Sequence, residues 1–288
     1  MIEALLFSTL RLSTPMLFAS LGGLFSERSG VINIALEGFM LVGAFVAAVV
    51  ALATGSPWLG FAVAAGAGAI VGAFYAFFVV IGRTDQIVAG TAVNFLAMGA
   101  IPFALKLLHG STTNSPTLPA AARFTFEPLI LVWVFWIAAW WIVQRAPAGQ
   151  WISFAGEHPQ ALATAGVSPR KVRFWSVVAG GALAAMGGAC LSVFLSSAYS
   201  RNMTAGRGFM ALAALIFGKW RPVPMALACL FFGFTDAVQI RLQGLLLPSG
   251  EPVPAALVQI VPFVVTVLVL AGFVGRARAP KALGRHFH

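Results

Sequence analysis

Acidic residues are scarce in this chain. It has eight Asp and Glu among 288 residues, and Asp, Glu, Lys and Arg together make only 9%. A soluble domain carries about 25% charged residues, so the composition argues against one. Cysteine is equally sparse. Cys190 and Cys229 both lie in apolar runs, where they read as small core residues rather than a disulfide or metal pair. His109, His158, His286 and His288 fall in loops or the tail, and no proton relay can be drawn from them. There is no Gly-x-x-x-x-Gly-Lys-Ser/Thr phosphate loop, so any energy must come from another chain or an ion gradient. No cofactor or metal set, nucleophile–base pair or nucleic-acid module is present, and a membrane-embedded enzyme lacks a convergent catalytic set. The N-terminus has neither a basic n-region nor a small-residue cleavage site, so the first apolar run is expected to be retained.

What the chain has is apolar length: 60% of its residues are hydrophobic and the mean hydropathy is +0.93. Lipid admits only helices or closed barrels. Barrel strands alternate in polarity over about 10 residues, whereas these runs are continuously apolar over the roughly 20 residues that a spanning helix needs. The reading is an all-α polytopic membrane protein with about nine transmembrane segments, one or two of which can be re-entrant or broken half-helices. The expected segments are 5–25, 34–53, 59–81, 87–107, 129–143, 174–195, a short 209–217, 225–247 and 256–274. Gly55-Ser56-Pro57, Gly82-Arg83-Thr84-Asp85, Arg221-Pro222 and Pro248-Ser249-Gly250 supply the breaks. Residues 1–288 thus form one transmembrane domain, with a cytoplasmic loop at 146–173 and a basic cytoplasmic tail at 275–288.

The pI of 11.1 does not mark a nucleic-acid binder, because the 18 Lys and Arg form no dense patch. They sort by side instead. With the C-terminus inside, the loops of Arg28, Arg83, Arg145 to Arg173 and Lys219 to Arg221 are also inside. Only Lys106, Arg123, Arg201, Arg207 and Arg241 then lie outside, and the excess on the other side supports an outside N-terminus and an inside C-terminus, because basic residues prefer the cytoplasmic face. The tail around Arg276 to Lys281 suits anionic headgroups, with contact to a partner protein as the second reading.

Polar residues inside apolar sequence cost several kcal/mol unless partnered, which singles out a few positions. Asn33 and Glu37 share one helical face, flanked by Gly30 and Gly38 that permit a broken helix. Broken helices build transporter sites; the plainer reading is a short turn with Glu37 at a wetted helix start. Thr91 and Asn94 share a face and fit either path lining or interhelical hydrogen bonds. Asp236, Gln239 and Gln243 form a polar stripe, and Asp236 needs a partner from Arg241 or another helix. Gly68/Gly72 and Gly180/Ala184/Gly188 read as close helix packing.

One loop has a design of its own. In Gly156-Glu157-His158-Pro159-Gln160-Ala161-Leu162-Ala163-Thr164-Ala165-Gly166-Val167, Pro159 can open a helix and Gly166 can close it in a left-handed cap. The alanines between them favour helix, giving two turns of roughly 12 Å. Such a rod either lies in a groove on a partner or rests at the membrane surface.

This loop resembles the coupling helix of ABC importer permeases, matching at Gly156, Pro159, Ala161 and Gly166-Val167 and departing at Leu162, where a second alanine is usual. Leu24 to Met40, Gln86 to Asn94 and Gly206 to Trp220 resemble signatures of the nucleoside and simple-sugar branch, the branched-chain amino acid permease superfamily. The resemblance implies a bacterial plasma-membrane subunit working by alternating access. Its implied partners are a paralogous permease, a tandem two-cassette ATPase that binds ATP and Mg, and an external substrate-binding lipoprotein. The chain itself would hold no cofactor. Gly156, Glu157, Pro159, Ala161, Ala163 and Gly166 would couple to the ATPase. Asn33, Glu37, Thr91, Asn94, Asp236 and Gln239 are the candidate path residues for a nucleoside. A ribose-like sugar is the alternative within the class, and a self-sufficient secondary transporter or channel the alternative outside it.

Overall fold

The computed structural model describes residues 2–242 and 278–285. The expected segment 256–274, the stripe residue Gln243 and Arg276, His286 and His288 lie outside the described residues.

Local chemistry sets the helix ends. Helix α1 (Ile2–Arg28) leads through an irregular loop into α2 (Leu36–Thr54), which Gly55 closes at φ 70°. The side chain of Ser56 then caps α3 (Pro57–Ala76), which has proline in its first turn and runs on through a π-turn at Phe77–Ile81. Asp85 caps α4 (Gln86–His109) by accepting from the Ile87 and Val88 amides, both at 2.9 Å. After α5 (Glu127–Arg145) come two short helices, α6 (Pro147–Glu157) and α7 (Pro159–Thr164). Ser168 and Pro169 open α8 (Pro169–Cys190), continued by a π-turn at Leu191–Leu195. The short α9 (Arg207–Phe217) precedes α10 (Pro222–Leu242). Among the described residues there is no strand, only an isolated bridge between Asn114 and Ser200.

Helix α8 is the hub, packing on α1, α2 and α3. Close approach explains its small residues. A Cβ on Gly188 would strike the Met40 backbone, one on Gly43 the Ala185 backbone, and one on Gly68 the Gly181 carbonyl. In lipid, where apolar burial does not drive association, such backbone-to-backbone packing carries helix contacts.

The expected count of nine spans is not reached among the described residues. Seven helices are long and apolar enough to cross a membrane, while Arg207–Phe217 is too short. Yet the chain from 196 to 221 does traverse the bundle. Gln86 meets Ile32, so α4 starts at the same end as Arg28 and its far end lies opposite. At that far end Ser115 donates to the Tyr199 carbonyl at 2.9 Å and Arg201 to that of Thr113 at 2.7 Å. At the Arg28 end the Trp220 indole reaches Glu27. The crossing is half irregular chain and half α9, about 16 Å of helix at about 1.5 Å per residue. The loops carrying Arg28, Arg83, Arg145 to Arg173 and Lys219 to Arg221 therefore share one end. Residues 278–285 join them there, with Ala282 donating to Gly156 at 2.8 Å and Gly284 to Gly30 at 3.1 Å.

Candidate functional site

Between α1 and α2 the helix is interrupted, and side chains take over its backbone bonds, as they must inside lipid. The Ile32 amide donates to Gln86 Oε1 at 2.8 Å, and Tyr75 donates its hydroxyl to the Ile32 carbonyl at 2.6 Å. Asn94 is clamped on the same break, accepting from the Gly38 amide at 2.7 Å and donating to the Ile34 carbonyl at 2.9 Å. Asn33 is fully buried. Its Nδ2 donates to Ser26 Oγ at 2.9 Å, its amide faces Glu27 Oε1 at 3.4 Å, and its Oδ1 has no partner.

Glu37 stands at the centre. Its Oε1 accepts from the Thr204 hydroxyl at 2.5 Å and the Gly206 amide at 2.9 Å, and its Oε2 from the Gly208 amide at 2.7 Å. The carboxylate of α2 thereby caps the N-terminus of α9 from outside that helix, where a helix end carries partial positive charge. Gly208 is needed for the approach, since a Cβ there would meet the Glu37 backbone and carboxylate. From the same turn Arg207 reaches Asp236 on α10, Nη2 to Oδ2 at 3.8 Å. Asp236 thus has its partner on another helix, in Arg207.

The structure brings Asn33, Glu37 and Asn94 together at the start of α2 and joins Asp236 to them through α9. Gln239 lies half-buried a turn beyond Asp236. Thr91 stands apart: it is half-buried, and its hydroxyl is spent on the Ile87 and Val88 carbonyls of its own helix. The sequence pattern assigns no site role to Gln86, Tyr75, Thr204 or Arg207, although Gln86 and Arg207 fall inside the family-like stretches. Each acts through a backbone group or a residue far away in sequence, for which no spacing rule exists.

At the Arg28 end, α7 is six residues long, about 9 Å, shorter than the two turns expected. Ala165 has already left helical geometry, and Gly166 takes φ 81°. Glu157, His158, Gln160, Ala161, Ala163, Thr164 and Gly166 are exposed, while Leu162 alone is buried. The unusual leucine is therefore the anchor of α7 and leaves its outer face small. Behind α7, the Gly156 backbone packs so tightly on the Arg28 carbonyl that a Cβ has no room. Arg28 Nε donates to Ser153 at 3.1 Å and its Nη1 to the Trp220 carbonyl at 3.3 Å. Arg173 binds three carbonyls, Ser29 at 3.1 Å, Ala155 at 3.0 Å and Arg285 at 2.7 Å. These two arginines tie the α6–α7 unit to the α1–α2 break and to the turn after α9. Among the described residues no group of His, Cys, Asp and Glu could hold a metal.

Comparison with known proteins gives this arrangement a context. The family described as branched-chain amino acid transport system / permease component matches residues 5–270. A guanosine ABC transporter permease of Bacillus subtilis is 37% identical, covering 96% of this chain and 94% of its own length. A nucleoside ABC transporter permease of Lactococcus lactis is 36% identical over 96% and 93%. A putative glucose ABC transporter permease of Haloferax volcanii is 35% identical over 88% and 82%. No solved structure matches significantly.

Proposed function

Because the chain belongs to the branched-chain amino acid transport system permease family, we propose that it is the membrane subunit of an ABC importer that carries nucleosides into a bacterial cell. The observation that carries this reading is the joint between an exposed, small-faced helix and an interrupted membrane core. The exposed face of α7 suits docking to a cytoplasmic ATPase, and the guanosine and nucleoside permeases among its relatives support the cargo. The Arg28 end is the cytoplasmic one in this reading, since most of the basic residues gather there.

The coupling follows from the bonds. Closure of the ATPase cassettes pushes on Pro159 to Gly166; α6 moves with α7, and Arg28 and Arg173 pass the shift to the α1–α2 break and the turn after α9. The two interrupted elements meet at Glu37, so a shift of either re-orients both. Asn33, Glu37, Asn94, Asp236 and Gln239 sit along this junction and are the residues assigned to the substrate path, with Thr91 at its margin. A paralogous permease, a tandem ATPase holding ATP and Mg, and an external lipoprotein complete the transporter. The glucose permease among the relatives keeps a simple sugar as the second cargo. Uptake of labelled guanosine by a strain lacking this chain should be lost, and should return with the wild type but not with Pro159→Asp. Unchanged uptake with Pro159→Asp would remove the coupling role, and restored glucose uptake in place of guanosine would select the sugar.

A further inference from the structure

A cleft at the Arg28 end plays no part in the junction around Glu37. Helices α5 and α8 both pack on α1 but diverge from each other, and α6 crosses the gap between them. The cleft encloses about 940 Å³, at the upper end of the roughly 300–1,000 Å³ typical of ligand pockets. Its width comes from small side chains, Ala138 and Ala139 on α5 and Ala179 and Ala182 on α8. Polar lining is confined to Ser168, Lys171 and Ser176, all in the first two turns of α8 or just before it. Beyond them the wall is apolar as far as Met186.

These features select the occupant. A polar solute such as a nucleoside would leave its hydroxyls without partners along the apolar wall. The cleft extends along α8 from Lys171 to Met186, about 22 Å at about 1.5 Å per residue. That exceeds one leaflet's share of a roughly 30 Å hydrocarbon core and suits an extended chain lying along the helix. Trp151 and Trp175 line it and remain exposed, as tryptophans at the level of lipid headgroups do. Lys171 stands at the same level on the more basic end of the bundle, and basic pockets between membrane helices on such a face bind anionic headgroups.

We propose that the cleft binds one anionic phospholipid, an acyl chain between the alanines of α5 and α8 and the phosphate at Lys171. Gly166 and Val167, which follow α7, also line the cleft, so the lipid braces the segment through which α7 joins α8. The test is native mass spectrometry of the intact transporter, released into mild detergent from nanodiscs of equal parts phosphatidylglycerol and phosphatidylcholine. Wild type should retain phosphatidylglycerol in several-fold excess. Lys171→Glu, at an exposed position that folding tolerates, should abolish the preference. Ala138→Phe and Ala179→Phe, whose side chains open into the cleft, should lose the retained lipid without a change in melting temperature. Equal retention of the two lipids by wild type, or undiminished retention in all three variants, overturns the proposal. So does a cross-link from Trp175→Cys to a second permease subunit, which would put protein in the lipid's place.

Discussion

Glu37 shows how much one side chain carries. It satisfies three donors around the start of α9, and hydrogen bonds to a charged group contribute roughly 1.5–3 kcal/mol each. Glu37→Ala leaves the Gly206 and Gly208 amides unpaired and should destabilise the protein by about 3 kcal/mol, read as a lowered melting temperature in detergent. Glu37→Gln keeps a carbonyl oxygen and should fall between. If instead both variants melt like wild type, Glu37 does not hold α9. Arg173 makes a parallel case at the other junction. Its three carbonyl partners diverge, and the guanidinium fork reaches them where a lysine ammonium cannot. Arg173→Lys should therefore lower the melting temperature and weaken guanosine uptake together; a variant with full uptake would show that this tie does not transmit the push.

Among the elements, α7 separates docking from folding. Ala161 is exposed and Leu162 buried, so Ala161→Trp should leave expression and melting intact while uptake collapses. Leu162→Ala removes the anchor, and protease should cut the 158–167 segment faster than in wild type. Equal uptake by Ala161→Trp and wild type would mean that nothing docks on α7. Most helices were legible in sequence because apolar length, Pro at first positions and the caps Ser56 and Asp85 state their ends outright. The crossing by 196–221 was legible only as a short apolar run at 209–217. Its first half has no period, because bonds to the α4–α5 connection and to Glu37 are interspersed with isolated turns, such as Met203 on Ser200 and Ala205 on Asn202, and no continuous helix forms. The site was readable to the same degree. Asn33, Glu37 and Asn94 stood out as polar groups in apolar surroundings, but a sequence does not show that Glu37 faces a helix some 170 positions away. The hydroxyl of Thr91 looked equivalent and is turned back on its own helix.

At the scale of the whole molecule, the basic loops gather at one end, which the proposed function makes cytoplasmic. Both native cysteines are buried, so single added cysteines report cleanly. Thr112→Cys should react with an impermeant maleimide in intact cells, and Ala163→Cys only after the membrane is opened; the reverse pattern would invert the topology and detach α7 from any cytoplasmic motor. Guanosine flux in proteoliposomes decides whether this chain is a dependent subunit. This chain reconstituted alone should move none, and ATP-dependent flux should appear only with the second permease, the ATPase and the delivery protein present. Substrate-specific flux from this chain by itself, without ATP, would contradict the account.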